Sequence, residues 1–202
     1  MMKPNTLTLI RIAGSPFFLL FYWLDTVWSL IVCMFLFGVF EITDLLDGPL
    51  ARRSNQVSDF GKLMDPFADS IARFTIYLCF LSSGLAPVWI IAVFFYRDVL
   101  VSVVRVFSMK EGVVVAARKS GKIKAWGQAL SILGVLVILF FQKLGLIATP
   151  FTIWLDIPLA TQLIFIASLI TLWSAVDYWL DGKAIVINAM NFENKKPSKP
   201  GN

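Results

Sequence analysis

The sequence predicts an all-α polytopic membrane protein with six transmembrane helices. Three observations carry the prediction. Of 202 residues, 58% are hydrophobic and only 15% are charged, where a soluble domain carries about a quarter charged residues. The apolar residues fall into long runs, and roughly 18 such residues are enough to cross a bilayer. The net charge of +5 is distributed unevenly, with every second connection basic and the others nearly bare.

The first span is expected over Leu7 to Leu24. Its basic start and apolar run resemble a secretory signal, but aromatic Phe21, Tyr22 and Trp23 stand where a small-residue cleavage pattern would be. It is therefore read as a mature helix, with Asn5 or Thr6 as its N-cap. Arg11 lies roughly 6 Å along that helix from Leu7, so it either snorkels to the headgroups or faces a polar cavity. The second span, Val27 to Thr43, runs into Glu41, Asp44 and Asp47. Gly48 lets another group approach the backbone, and Pro49 is expected to kink or end the helix. A short polar linker leads to Gly61, Lys62 and the third span, Pro66 to Ser83, with Pro66 suited to its first turn. Arg73 continues the face of Asp65 and Asp69 four residues on.

The fourth span, Leu85 to Phe107, holds Arg97 and Asp98 well inside it. Charges at that depth mark function or pair with each other. The basic segment Arg105 to Lys124 serves either as an anchor for anionic lipid or as a receiver of an anionic group. The fifth span is Ala125 to Ala148 and the sixth Ile157 to Leu180. Tyr178 and Trp179 fit an aromatic belt at the interface. Residues 1–192 are read as one membrane domain and 193–202 as a disordered basic tail. Cys33 and Cys79 lie in apolar runs and are read as packing residues.

With six spans both termini share a side. The basic residues cluster at the termini and in the two-to-three and four-to-five connections, so the positive-inside rule makes that side cytoplasmic. The stretch from Asp44 to Asp69 is cytoplasmic with them. Asp44 and Asp47 are three apart, and Asp65 and Asp69 four apart, so each pair shares a helix face. Carboxylates at the edge of apolar segments need pairing or ligation. Hard divalent cations take oxygen ligands and remove the repulsion between two facing pairs. Asp65 and Asp69 also suit a helix N-terminus, though that accounts for one acid better than for two on a shared face. The chain has no histidine, which leaves acid–base chemistry to carboxylates, Lys, Tyr or water. No phosphate loop, dinucleotide fingerprint or nucleic-acid module is present.

Asp44, Asp47, Gly48, Ala51, Arg52, Gly61, Asp65 and Asp69 form the arrangement D-x2-D-G-x2-A-R-x8-G-x3-D-x3-D, eight fixed positions over 26 residues. This resembles the signature of the CDP-alcohol phosphatidyltransferases, and the six-span layout extends the likeness over nearly the whole chain. The resemblance implies that Asp44, Asp47, Asp65 and Asp69 hold two divalent cations, Mg²⁺ or Mn²⁺, and that Asp69 is the general base. Gly48, Ala51, Arg52 and Gly61 correspond to positions that bind the CDP-lipid. The family implies a homodimer in the bacterial inner (cytoplasmic) membrane, with the active site on the cytoplasmic face.

Pro4-Asn5-Thr6-Leu7-Thr8 with Arg11, the run from Gly61 to Asp69, and Gly121 to Lys124 with Gln128 are similar to the branch that makes phosphatidylglycerophosphate. Its members transfer phosphatidyl from CDP-diacylglycerol to sn-glycerol 3-phosphate. Arg105, Arg118, Lys122, Lys124 and Arg11 are the candidates for the acceptor's phosphate, since a small dianion suits a basic cluster. Asp98 stands where Glu is expected, and Ser70 where Lys often follows the last aspartate. These departures keep open the cardiolipin synthases, whose acceptor is phosphatidylglycerol. A cation transporter is the reading from another class. It predicts related halves and acids at the bilayer midplane, whereas here the halves differ and the acids sit at one edge.

Overall fold

The computed structural model describes residues 4–54, 59–110, 119–148, 152–154 and 157–193. Among these residues there are six α-helices: α1 (Pro4–Trp23), α2 (Val27–Ser54), α3 (Asp59–Ser82), α4 (Val88–Lys110), α5 (Lys119–Lys143) and α6 (Leu159–Glu193). The helices match the six apolar runs in order. One element was not expected of an all-α chain: a two-stranded antiparallel ribbon, β1 (Thr152–Trp154) and β2 (Ile157–Pro158), between α5 and α6.

Local chemistry sets the turns. Asp25 adopts a left-handed conformation after α1. Thr26 caps α2, its Oγ1 accepting from Ser29 N at 3.1 Å while Ser29 Oγ accepts from Thr26 N at 3.0 Å, a reciprocal cap. After α3 and α5 the chain turns at Gly84 and Gly145, with φ of 71° and 72°. Leu85 N bonds to Phe80 O, and Leu146 N to Phe141 O. Only glycine takes those angles without strain, and each turn returns an amide to a carbonyl the helix end leaves open.

Several helices outrun the expected spans. α2 continues through Pro49 to Ser54 rather than ending there, and α3 begins at Asp59, so Pro66 lies inside it. α1 begins at Pro4, which places Asn5 and Thr6 in its first turn rather than at its cap. α6 ends at Glu193, and residues 194–202 of the expected tail lie outside the described residues. Hydropathy marks where a helix meets lipid, whereas helical hydrogen bonding continues into polar sequence.

α1 packs against α2 and α3, α6 against α4 and α5, α2 against α5, and α3 against α4. The core is aromatic and aliphatic: Phe18, Phe37, Phe40, Ile76, Tyr77, Phe80, Ile132, Leu136 and Ile164 are all buried. Cys33 and Cys79 are free thiols within it. Trp28, Phe35, Leu130, Leu169 and Trp173 are exposed, an arrangement suited to lipid rather than water. Among the described residues, three helical stretches are long and apolar enough to cross a membrane: Val27–Leu45, Lys119–Lys143 and Leu159–Leu180, against six expected spans.

Alternating helix directions sort the polar groups by end. At one end, Tyr22 OH and Ser83 Oγ share a 2.9 Å hydrogen bond, and Lys143 pairs with Asp25. Thr161 Oγ1 donates to Leu85 O at 2.8 Å there. At the opposite end α2 runs out and α3 begins, and there the buried charges collect.

Candidate active site

Two linked clusters of charge occupy that end. The first joins α1, α2, α3 and α5. Arg11 is fully buried, and its Nη1 donates to Asp44 Oδ1 at 2.8 Å. Of the two alternatives open from sequence, the interior one therefore holds. Gly14 makes this approach possible: a Cβ there would stand 2.6 Å from Cε1 of Phe40 on α2.

Arg73, also buried, is the hub of the cluster. Its Nε donates to Asp69 Oδ1 at 3.1 Å, its Nη1 to the Ala125 carbonyl at 2.7 Å, and its Nη2 to Glu41 Oε2 at 3.2 Å. Asp44 and Asp69, on different helices, are near enough for their charges to act on one another. Their side chains keep 40% and 26% of their surface accessible, so both can reach a bound ion or substrate.

The second cluster joins α3, α4, α5 and α6 around Asp98. Ser70 Oγ donates to its Oδ2 at 2.8 Å, and Arg97 Nη1 and Lys124 Nζ each approach its Oδ1 at 3.0 Å. Arg97 also reaches Ser174 Oγ at 3.0 Å and lies 5.3 Å from the centroid of the Tyr178 ring. Of the two roles open for Arg97 and Asp98, mutual pairing is the one seen. Tyr178 is buried under that guanidinium and is not part of an aromatic belt, although Trp179 is exposed. A Cβ on Gly121 would come 3.2 Å from the Tyr178 hydroxyl, so the α5–α6 contact is tight here. Ser120 donates to Asp177 beside it.

The candidate residues fall out as follows. Asp44 on α2 and Asp69 on α3 are brought to the same end of the bundle, each on a buried arginine. Asp47, Gly48, Ala51 and Arg52 ride the last turns of α2, and Gly61 and Asp65 the first turns of α3. The side-chain environments of these six, and of Arg105 at the end of α4, lie outside the described residues, as does Arg118 altogether. Lys122 is exposed, and Lys124 is buried against Asp98. Glu41 and Arg73 were not singled out for the site. Their signal was a charge inside an apolar helix on the same face as an aspartate, and it becomes readable only with the helices packed.

Among the described residues no three acidic side chains converge as a metal cluster. The donor chemistry nevertheless suits hard cations. Each of the two described aspartates already draws a guanidinium to one oxygen, and the set is carboxylate throughout.

The sequence profile of the CDP-alcohol phosphatidyltransferases matches residues 1–188. The chain belongs to this family. As a CDP-alcohol phosphatidyltransferase it is an enzyme of phosphatidyl transfer. Three bacterial proteins similar to it are each named CDP-diacylglycerol–glycerol-3-phosphate 3-phosphatidyltransferase. That of Escherichia coli (strain K12) is 30% identical over 190 residues, 92% of this chain and 97% of its own. That of Bacillus subtilis (strain 168) is 32% identical over 146 residues, 66% and 76% of the two chains. That of Treponema pallidum (strain Nichols) is 40% identical over 94 residues, 46% and 44%. For a CDP-alcohol phosphatidyltransferase, the acid-bearing junction of α2 and α3 is the candidate active site.

Proposed function

We propose that this enzyme transfers the phosphatidyl group of CDP-diacylglycerol to sn-glycerol 3-phosphate, giving phosphatidylglycerophosphate and CMP. The observation that carries the reading is that Asp44 and Asp69 stand at the same end of the bundle, each held by a buried arginine. The names of the relatives that span almost the whole chain support the same donor and acceptor.

Asp44, Asp47, Asp65 and Asp69 would hold divalent ions, two of Mg²⁺ or Mn²⁺. Such ions, when bound, neutralise diphosphate charge and ease departure of the nucleotide. The acceptor hydroxyl attacks the lipid-side phosphorus in line with the bond to CMP. A new P–O bond forms to the acceptor, the P–O bond to CMP breaks, and the hydroxyl proton passes to Asp69. The electron pair of the broken bond leaves on CMP. Gly48, Ala51, Arg52 and Gly61 are assigned to the CDP-lipid, and Lys122, Arg105 and Arg118 to the acceptor's phosphate, on the family motif and on the fit of cations to a small dianion.

Lys124 and Arg11 act indirectly in this reading, because both are committed to carboxylates: Lys124 fixes Asp98 and Arg11 fixes Asp44. All six helices cross the inner membrane of a bacterium with the charged end cytoplasmic. That orientation places the site where both water-soluble species, CMP and glycerol 3-phosphate, are found. The functional unit is a homodimer.

CMP release by the purified protein tests the assignment. CDP-diacylglycerol is supplied with glycerol 3-phosphate, phosphatidylglycerol, inositol phosphate or no acceptor, in Mg²⁺ or Mn²⁺ and with an EDTA control. Release that requires both metal and glycerol 3-phosphate is expected. Release with phosphatidylglycerol instead would move the assignment to cardiolipin formation.

A further inference from the structure

We propose that Arg73 is the positioning residue of the reaction: it fixes which oxygen of Asp69 works, and it registers α3 against α2 and α5 while doing so. The inference rests on the reading of Asp69 as the base.

A guanidinium presents its donors in one rigid plane. Here that plane is filled from three helices. Nε takes Asp69 Oδ1, Nη2 takes Glu41 of α2, and Nη1 takes the Ala125 carbonyl of α5. The group is 5% exposed in its side chain, while Asp69 and Glu41 each keep 26%. The arginine is thus screened from substrate by the carboxylates it holds, and acts through Asp69 rather than on the reacting atoms.

One consequence is specific. Oδ1 of Asp69 is occupied by Arg73, so Oδ2 is the oxygen left for substrate. A second is that Glu41 serves as the counter-tether. It holds the guanidinium between α2, the helix that bears Asp44, and Asp69 on α3. A third is that Ala125 directly follows Lys124, so the arginine also ties the Asp69 face to the segment that anchors Asp98. A residue four positions away on the same helix already neighbours Asp69. The three-way clamp adds an orientation that helix spacing alone would not supply.

The test uses the full-length protein in detergent with CDP-diacylglycerol and glycerol 3-phosphate, comparing Arg73→Lys, Arg73→Gln, Glu41→Gln and Asp69→Asn. Fluorescence-detected size exclusion and thermal unfolding report folding, and binding of CDP-diacylglycerol is measured without acceptor. A positioning role predicts a kcat at least tenfold lower in Arg73→Gln, with KM for glycerol 3-phosphate and CDP-lipid affinity within threefold of wild type. Arg73→Lys recovers part of the loss, since an ammonium keeps the charge but cannot span three partners. Glu41→Gln loses kcat in the same direction but less.

A purely structural role predicts instead reduced folded yield with normal kcat per folded molecule, and that result would overturn the proposal. If Arg73→Gln does not fold, the kcat–KM split in Glu41→Gln and Arg73→Lys decides in its place: a normal kcat in both overturns the proposal. Asp69→Asn separates the two layers. Full turnover in that variant removes the base assignment itself, whereas a dead Asp69→Asn beside a fully active Arg73→Gln removes only the positioning role.

Discussion

Asp98 offers a quantitative test of how the bundle tolerates charge. Its carboxylate receives Arg97 and Lys124, both at 3.0 Å, and the three side chains are 17%, 9% and 5% exposed. Coulomb attraction over that distance is about 5 kcal/mol per cation at an effective dielectric constant near 20. Much of this is offset by the desolvation of each ion, which is why a buried pair adds little over an apolar one. Removing one partner is different, because the desolvation cost stays while the attraction goes.

Asp98→Asn leaves two buried cations close together and is expected to lose about 3–5 kcal/mol. For a chain of this size that is a fall of roughly 10 °C in the melting temperature. Asp98→Asn combined with Lys124→Met removes one stranded cation and should recover most of the loss. The assay is thermal unfolding in detergent, followed by intrinsic tryptophan fluorescence. A single-variant shift under about 2 °C, or a double variant no better than the single, would refute the buried-pair account.

Three further outcomes follow from the site and its packing. Asp69→Asn is expected to slow CMP release by about 10²–10⁴-fold, the usual worth of a general base, with CDP-lipid binding retained; wild-type turnover would remove Asp69 from that role. Arg11→Gln takes a charge-assisted hydrogen bond from Asp44, so kcat/KM for the CDP-lipid should fall about tenfold, and steady-state kinetics with unchanged values would show the pair to be incidental. Gly14→Ala drives a methyl into the Phe40 ring; overpacking of this kind costs about 1–3 kcal/mol, so a lowered melting temperature, partly restored by Phe40→Leu, is expected.

Much of the helical order was readable because long apolar runs are local signals. The runs placed α1 to α6 in order, but the fifth overshot: α5 ends at Lys143, before the Gly145 turn, rather than at Ala148, and Ile157 belongs to β2 rather than to the sixth helix. They also failed where helix continued into polar sequence, as α2 does to Ser54 and α3 does from Asp59. The ribbon at Thr152–Trp154 and Ile157–Pro158 is too short to leave a periodic signature.

In the site, the aspartate spacing announced a two-helix acidic centre, and the structure brings Asp44 and Asp69 to the same end. The arginine partners were not legible. Arg11 and Asp44 are 33 residues apart, and Arg73 and Glu41 are 32 apart, so the pairing depends on packing that no local pattern encodes. Lys124 illustrates the difference. By sequence it belongs to a basic cluster suited to an anion, yet in the bundle its ammonium is directed inward to Asp98. Tyr178 was misplaced for a related reason. Interfacial aromatics and buried ones look alike until the neighbouring helix is in place, and here that neighbour carries Arg97.

The measurement that bears most directly on the central claim is the identity of the lipid product. The purified protein, reconstituted in liposomes containing CDP-diacylglycerol, is given isotopically labelled sn-glycerol 3-phosphate with Mg²⁺, and the lipids are analysed by mass spectrometry. The account predicts labelled phosphatidylglycerophosphate in amounts equal to the CMP released, and none from Asp69→Asn. Unlabelled cardiolipin, phosphatidic acid formed by water, or labelled product of equal yield from Asp69→Asn would contradict it.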